Sequence, residues 1–365
     1  MNITFVLPPV NMSGGIRVIA IYAKRLAERG HVVTLVSVPR QPTRKLHRIQ
    51  DALGLQPALK SHLDGLGLDH RTLAKWGPVT DRDVPDADVV IATWWETAEW
   101  VAKLSPSKGR KFYFVQHHEI HPSQPVERVH ATYRLPLTKI VIARWLADVM
   151  RDQYGDADTI LVPNSVDHGQ FHAPVRAKQP RPTVGFLYSR AGFKRVEVAL
   201  EAVAYLRERF PGLRVLSFGA EPADPVAMRG VEFHEDPPQD TLREVYARVD
   251  VWLSTSRSEG FNLPAMEAMA CRTPVVCTRT GWPEEAIVDG VNGALVDIDD
   301  ARGVADEAAR ILELPDERWR AMSQAAFDTV KDSSWERSTE LFEHALSTAV
   351  PPRQDSRGLA AAAQG

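Results

Sequence analysis

The chain has 365 residues, 44% of them hydrophobic and 25% charged, with a formal net charge of −3. That length exceeds one ordinary core and suits two α/β domains of roughly 100 to 200 residues each. The composition excludes a disordered chain, and the charge supplies no field for gathering a polyanion, so no nucleic-acid partner is expected. Cys271 and Cys277 are too few for a disulfide framework or a four-thiolate zinc site, and they read as buried thiols. No apolar run approaches the roughly 18 residues that span a bilayer, and the opening MNITFVLPPV lacks a basic leader. A cytoplasmic location is therefore expected, with the inner face of the membrane as the second option.

Residues 3–7 form an apolar run, residues 8–15 are rich in breakers, and residues 16–29 have helical periodicity with Gly30 as the stop. Residues 31–38 read as the next buried strand. Strands recur at 88–93, 111–115 and 138–142, and such a rhythm predicts a parallel sheet covered on both faces. Residues 40–78 fit it poorly, being rich in Arg, Lys and His. They read as an insertion, either an acceptor-binding or membrane-surface element or a solvated excursion.

A turn-rich connection follows around 161–167, and the rhythm restarts at 183–188. Further strands are expected near 213–218, 231–234, 251–254 and 274–278, with helices near 196–210, 241–248, 263–270 and 301–312. The expected architecture is α/β, two Rossmann-like doubly wound domains facing across a cleft. The boundaries expected are 1–168 for the first domain and 169–332 for the second. A helix at 333–349 is expected to return toward the first domain, and 350–365, with an alanine run and no apolar periodicity, reads as a disordered tail.

Among residues that carry chemistry, Gly14 and Gly15 lie between the first strand and its helix, where backbone N–H groups and a helix N-terminus suit an oxyanion. The spacing is not the dinucleotide fingerprint G-x-G-x-x-G. The densest constellation runs from Ser258 to Ala270. Glu259 falls in the loop that ends a strand, and Glu267 eight positions later in the second turn of a helix. Asn262 and Pro264 suit the cap region of that helix. Glu259 is thus expected at the carboxyl edge of the sheet, where open α/β folds bind ligands, with Glu267 lining the same crevice.

This string resembles glycosyltransferase family 4, retaining enzymes of the GT-B fold, whose signature is E-x7-E followed by EAMA-x-x-x-PVV. Here the continuation is Glu267-Ala-Met-Ala-Cys-Arg-Thr-Pro-Val-Val276. After it come Gly281-Trp-Pro-Glu-Glu285 and Asp289-Gly-Val-Asn-Gly-Ala-Leu-Val296, which matches the family's DG-x-x-G-x-L-V hairpin. Val162-Pro-Asn-Ser-Val-Asp167, Asp250-Val-Trp-Leu253 and Ser334-Trp-Glu336 extend the likeness.

The resemblance implies a metal-independent transfer of a sugar, a hexose by first choice, from a nucleoside diphosphate to a glycan or glycolipid, as in polysaccharide biosynthesis. It pairs Glu259 with donor sugar and Glu267 with ribose, while backbone N–H groups of Gly260, Phe261 and Asn262, and the adjoining Leu263, face sugar or phosphates. Arg190 and Lys194 would hold the diphosphate, although the family's spacing between them is often longer. His117 is favoured over His118 for lining the sugar pocket, and His234 and Glu235 open the loop expected near the base. The catalytic set is therefore Glu259, His117, Arg190 and Lys194.

Trp94, Trp95 and Glu96 follow a strand and are read as acceptor-binding, with a core role for the tryptophans as the alternative. No cofactor is expected. A zinc site from His117, His118 and His121 lacks a fourth ligand. The D-x-D triplets at 81/83, 86/88, 156/158 and 297/299 lie in turn-like settings that favour Asp for local hydrogen bonding. The alternative activity is a GT-B-type nucleotide-sugar epimerase, and a non-catalytic sugar-binding protein is a third reading.

Overall fold

A computed structural model of the chain describes residues 1–41 and 60–348. Its first sheet comprises β1 (Asn2–Leu7), β2 (Val32–Ser37), β3 (Asp69–Thr72), β4 (Val89–Ala92), β5 (Arg110–Val115), β6 (Thr138–Val141) and β7 (Ile160–Leu161). The order is β3-β2-β1-β4-β5-β6-β7, and every pairing is parallel. The second contains β8 (Thr183–Leu187), β9 (Arg214–Gly219), β10 (Glu232–Glu235), β11 (Val251–Ser254), β12 (Val275–Thr278) and β13 (Gly293–Val296). Its order is β10-β9-β8-β11-β12-β13, again parallel throughout.

Strand order therefore reverses between β1 and β4 in one sheet and between β8 and β11 in the other. Such switch points leave a crevice beyond the carboxyl ends of the strands. The loops after β1, β5, β8 and β11, which carry most of the expected site residues, all leave from those ends.

Helices cover both faces. In the first half they are α1 (Gly14–Glu28), α2 (Trp95–Lys103), α3 (Val126–Thr132) and α4 (Arg144–Tyr154). The second half has α5 (Val196–Arg209), α6 (Leu242–Ala247), α7 (Leu263–Ala270), α8 (Pro283–Ala286), α9 (Ala301–Glu313) and α10 (Asp316–Val330), and α11 (Trp335–Thr348) closes the described chain. Alternation along β11 shows why its first three residues are all apolar: Trp252 packs with Phe218 and Tyr246 on one face, while Val251 and Leu253 join the core beneath α5 and α9 on the other. Cys271 and Cys277 are free and fully buried.

Three details differ from the sequence expectation. The polar strand β3 completes the edge of the first sheet inside the stretch read as an insertion. Its residues Asp-His-Arg-Thr are exposed or half-buried, so they carry no apolar signal. The remainder of that stretch at 42–59, and the tail at 350–365, lie outside the described residues. The Asp289–Val296 segment is not a hairpin, because β13 runs parallel to β12 and Asp289 merely bridges Gly293 in the turn before it. Helix α10, for which the sequence reading named no element, buries Trp319, Met322, Ala326 and Val330 at helical spacing along one face.

Helix α11 packs against the first sheet's helix α1. The Phe342 ring stacks on Tyr22 at 4.4 Å, and Trp335 meets Tyr22 edge-on at 5.7 Å. Around these rings, Arg29 and His31 bind Glu343 at 2.7 and 2.8 Å and Arg25 binds Glu336 at 3.1 Å. The exposed pairs contribute about 0–1 kcal/mol each, so the buried rings, at about 1.5–3 kcal/mol each, dominate the attachment.

Candidate active site

The loop between β11 and α7 is built to present carboxylates. Asn262 adopts a left-handed conformation (φ 86°), and its Oδ1 accepts from the Ala265 N–H to start the helix, while its Nδ2 donates to Ser254 Oγ at 2.7 Å. Glu259, 7% exposed, is held three ways. Lys194 Nζ lies 2.6 Å from its Oε1, Ser256 Oγ donates to the same oxygen at 2.7 Å, and its backbone N–H donates to Thr280 Oγ1. Two hydrogen bonds bring Lys194 there from the loop after β8: Arg257 N–H donates to the Phe193 carbonyl, and Thr255 Oγ1 donates to that of Arg195.

Gly281 and Gly260 are dictated by close approach. Gly281 has φ +72°, and a Cβ on it would stand 2.9 Å from Glu259 Cβ. A Cβ on Gly260 would fall 1.8 Å from the carbonyl oxygen of Gln116, which belongs to the facing loop after β5. Phe261 stacks on Trp282 at 5.2 Å, and Leu263 is buried at the start of α7.

Glu267, on α7, is 3% exposed. Burying a carboxylate so deeply demands partners. Arg17 of α1 donates to Oε1 at 2.6 Å and Tyr246 of α6 donates to Oε2 at 2.8 Å. The first contact crosses from one sheet's layer to the other.

From the first half, His117 reaches the Glu259 loop. Its Nδ1–H donates to the His118 carbonyl at 2.9 Å, so Nε2 accepts the Ser258 hydroxyl proton at 3.0 Å. Burial lowers the His117 pKa below its ordinary value, which keeps this tautomer neutral. His118 turns the other way. Its Nε2 meets Tyr154 Oη at 2.7 Å, and burial brings its pKa down to about 4. The structure thus separates the two histidines, with only His117 at the second half's loop.

Gly14 and Gly15 form the first turn of α1, whose N-cap Ser13 makes no side-chain cap bond. Gly14 faces open space and Gly15 abuts the Gln116 side chain, 3.6 Å from where a Cβ would be. Trp145 Nε1 donates to the Gly260 carbonyl and its backbone N–H to Glu285, which ties α4 across the cleft.

Other expected site residues lie apart. Arg190 is exposed, with Nη2 on the Pro222 carbonyl at 2.8 Å and its backbone N–H on Glu221, and it forms no ion pair with Glu259. His234 and Glu235 occupy edge strand β10, where His234 stands 3.3 Å from Glu232. The next turn reaches the first half through Lys60 and Asp236, 2.9 Å apart. Trp95 does not present a stacking face. It is 3% exposed, part of the core at the start of α2, with Arg128 over its ring. Trp94 and Glu96 are half-buried, and burial raises the Glu96 carboxyl.

The D-x-D residues make local or ion-pair contacts. Asp83 binds Thr80, Asp86 binds Lys108, Asp156 binds Lys139 and Asp299 binds Arg195. Among the described residues no group of three or more His, Cys, Asp or Glu is placed to hold a metal ion.

Arg17, Tyr246, Ser256 and Gln116 were not singled out from sequence, and Ser258 only marked where the constellation begins. Arg17 carried a signal, because a cation in the first turn opposes the helix dipole and calls for a partner.

Comparison with known proteins follows the same geography. Residues 181–314, which include the Glu259 and Glu267 loop and helix, match the family model for Glycosyl transferases group 1. A D-inositol 3-phosphate glycosyltransferase of Corynebacterium urealyticum is 33% identical over 183 residues, 46% of this chain and 42% of the relative. The corresponding enzyme of Corynebacterium efficiens is 35% identical over 178 residues, 44% and 41%. The chain thus spans about half or less of the length of the curated relatives it matches.

Solved structures match over nearly the whole chain. Sucrose-phosphate synthase of Thermosynechococcus elongatus superposes with a TM-score of 0.73 at 16% identity, covering 96% of this chain and 100% of that one. Anabaena Alr3699/HepE in complex with UDP-glucose gives 0.71 at 15%, covering 95% and 100%. The protein therefore has the fold of two Rossmann-like domains, GT-B, and residues 181–314 within its second half are similar to group 1 glycosyl transferases.

Proposed function

We propose that the chain is a retaining, metal-independent glycosyltransferase, moving a hexose from a nucleoside diphosphate to a hydroxyl of a glycan or glycolipid. One observation carries this reading: Lys194, Glu259 and His117 converge from three loops at the facing carboxyl edges of both sheets, with Glu267 on the adjoining helix. The UDP-glucose bound by the Anabaena structure makes uridine the first base to test. On this reading residues 1–168 bind acceptor, 169–332 bind donor, and 333–349 return to the first domain.

Each group has a chemical task. Lys194 exchanges Glu259 for the diphosphate and neutralises the charge that builds on the leaving group, with Arg190 swinging from Pro222 to join it. Preorganised charge of this kind is usually the largest catalytic contribution. The amides of Gly14 and Gly15 supply further positive potential from the helix start. Glu259 grips sugar hydroxyls and Glu267 the ribose, whose hydroxyls replace Arg17. Trp94 and Glu96 remain the acceptor-side candidates. No first-domain carboxylate is assigned as a covalent nucleophile, so the acceptor hydroxyl attacks on the leaving-group face and passes its proton to a phosphate oxygen.

Two measurements test the proposal. In a thermal-shift screen of nucleoside diphosphates and their sugars, a true donor at a hundred times its dissociation constant stabilises by about 2.7 kcal/mol. Proton NMR of the product with that donor shows the starting anomeric configuration, in EDTA as without it. Inversion, loss of turnover in EDTA, or rearranged sugar without acceptor would overturn the reading, the last in favour of an epimerase.

A further inference from the structure

The loop after β5 is held from behind by groups that no step above uses. Tyr133, the residue that ends α3, is fully buried, and its hydroxyl stands between two backbone groups of that loop. It accepts the Glu119 N–H at 2.8 Å and donates to the His117 carbonyl at 3.2 Å. Beneath it, Tyr113 of β5 stacks on Tyr133 with 5.7 Å between ring centres and 11° between planes. The Tyr113 hydroxyl donates to Glu119 Oε2 at 3.2 Å, and the same oxygen accepts the backbone N–H of Trp95 at the start of α2.

We propose that Tyr133 and Glu119 are positioning residues, fixing the His117 carbonyl and ring against the loop that carries Glu259. The inference rests on the reading that His117 lines the sugar pocket. A carbonyl oxygen has two lone pairs, and a Tyr133 hydrogen bond from the protein side orients the carbonyl plane while leaving the second for the cleft. The arrangement spans one short stretch: the Gln116 carbonyl crowds Gly260, the His117 ring accepts from Ser258, and Glu119 is anchored two residues on. A slip at Glu119 or Tyr133 is transmitted directly to both cross-cleft contacts. Misplacing a reacting group by about 1 Å can cost on the order of a hundredfold in rate.

Glu119 suits an anchor because it is 5% exposed and burial raises its carboxyl well above the usual range. A glutamine of the same length keeps an acceptor oxygen at that position, so it can take the place of Glu119 in the hydrogen bonds from Trp95 and Tyr113.

The test uses the full chain and the donor, out of a panel of UDP-, GDP- and ADP-sugars, that the wild type turns over. Y133F is expected to lower kcat about tenfold or more while the dissociation constant for the matching nucleoside diphosphate stays within twofold. E119A is expected to do the same, and E119Q to restore most of the rate. H117A serves as the reference. If H117A lowers kcat and Y133F and E119A do not, the positioning role is overturned and the reading of His117 stands. If H117A has no effect, that reading falls and takes this inference with it. A loss in Y133F and E119A that appears equally in nucleotide affinity and melting temperature, without rescue by E119Q, marks a merely structural role and also overturns it. Absence of turnover with every donor contradicts the proposed function itself.

Discussion

Arg17 and Glu267 are 250 positions apart in the chain, yet the guanidinium Nη1 lies 2.6 Å from the carboxylate Oε1. The pair joins the first turn of α1 to the helix that follows the Glu259 loop. Glu267 is almost wholly buried, so removing its cation leaves a carboxylate partnered by Tyr246 alone. Breaking one side of a buried pair costs about 3–5 kcal/mol, and Arg17's partial exposure places this case at the lower end. R17A is expected to lower the urea midpoint accordingly, and saturating nucleoside diphosphate to recover part of the loss through ribose hydroxyls on Glu267. An unchanged midpoint would show that the pair does not form in solution.

Gly260 sets how closely the two halves approach. A methyl group there would collide with the Gln116 carbonyl, a backbone atom that cannot rotate aside. G260A is therefore expected to hold the cleft apart, cutting kcat by about a hundredfold through lost alignment while leaving far-ultraviolet circular dichroism unchanged. Wild-type turnover in G260A would mean that catalysis does not need this approach.

The neutral state of His117 has a pH signature. Burial lowers its pKa, so protonation that breaks the Ser258 hydrogen bond sets in only below the ordinary imidazole value of about 6.5. The rate profile is expected to be flat from about pH 6.5 to 8, with an acid limb at lower pH. For stability, the unfolded chain takes up this proton first, so stability from this group rises with pH as it approaches about 6.5. A rate limb centred above pH 6.5 that vanishes in H117N would contradict the assignment.

Asp250 gives the opposite slope. At the start of β11 it accepts the backbone N–H groups of Gln179 and Thr183, which tether the connection between the halves. Burial outweighs these bonds and the nearby Arg176, and its carboxyl is pushed up to about 6. The folded chain therefore holds a proton that the unfolded chain releases near the ordinary aspartate value of 3.8. The stabilisation is fully present below that value and is lost as pH rises through about 6. Urea midpoints should show wild type losing ground against D250N between pH 4 and 7, whereas a constant difference would refute the shift.

Much of this was legible because parallel strands buried on both faces write continuous apolar runs, and Asn262-Leu-Pro264 carries an explicit helix start. The edge strand β3 was missed because solvent covers it and its side chains are polar. Within the site, the strand end and its helix placed Glu259 and Glu267 on one crevice, whereas Lys194 was pointed to only by the family resemblance. The sequence favoured His117 over His118 without a geometric ground, because successive residues of a loop point in different directions and only the fold says which faces the cleft. Nor could it show that Trp95 sits under Arg128, because a tryptophan after a strand satisfies both a core and a cleft pattern. Arg17 and Tyr246 belong to other elements, and their bearing on Glu267 exists only once the two halves face each other.

The most direct test of the central claim is a crystal structure of the chain with the nucleoside diphosphate that stabilises it most. The account predicts ribose on Glu267 in place of Arg17, and the diphosphate against Lys194, Arg190 and the Gly14–Gly15 turn. Nucleotide bound elsewhere, with the Lys194–Glu259 and Arg17–Glu267 pairs intact, would contradict it.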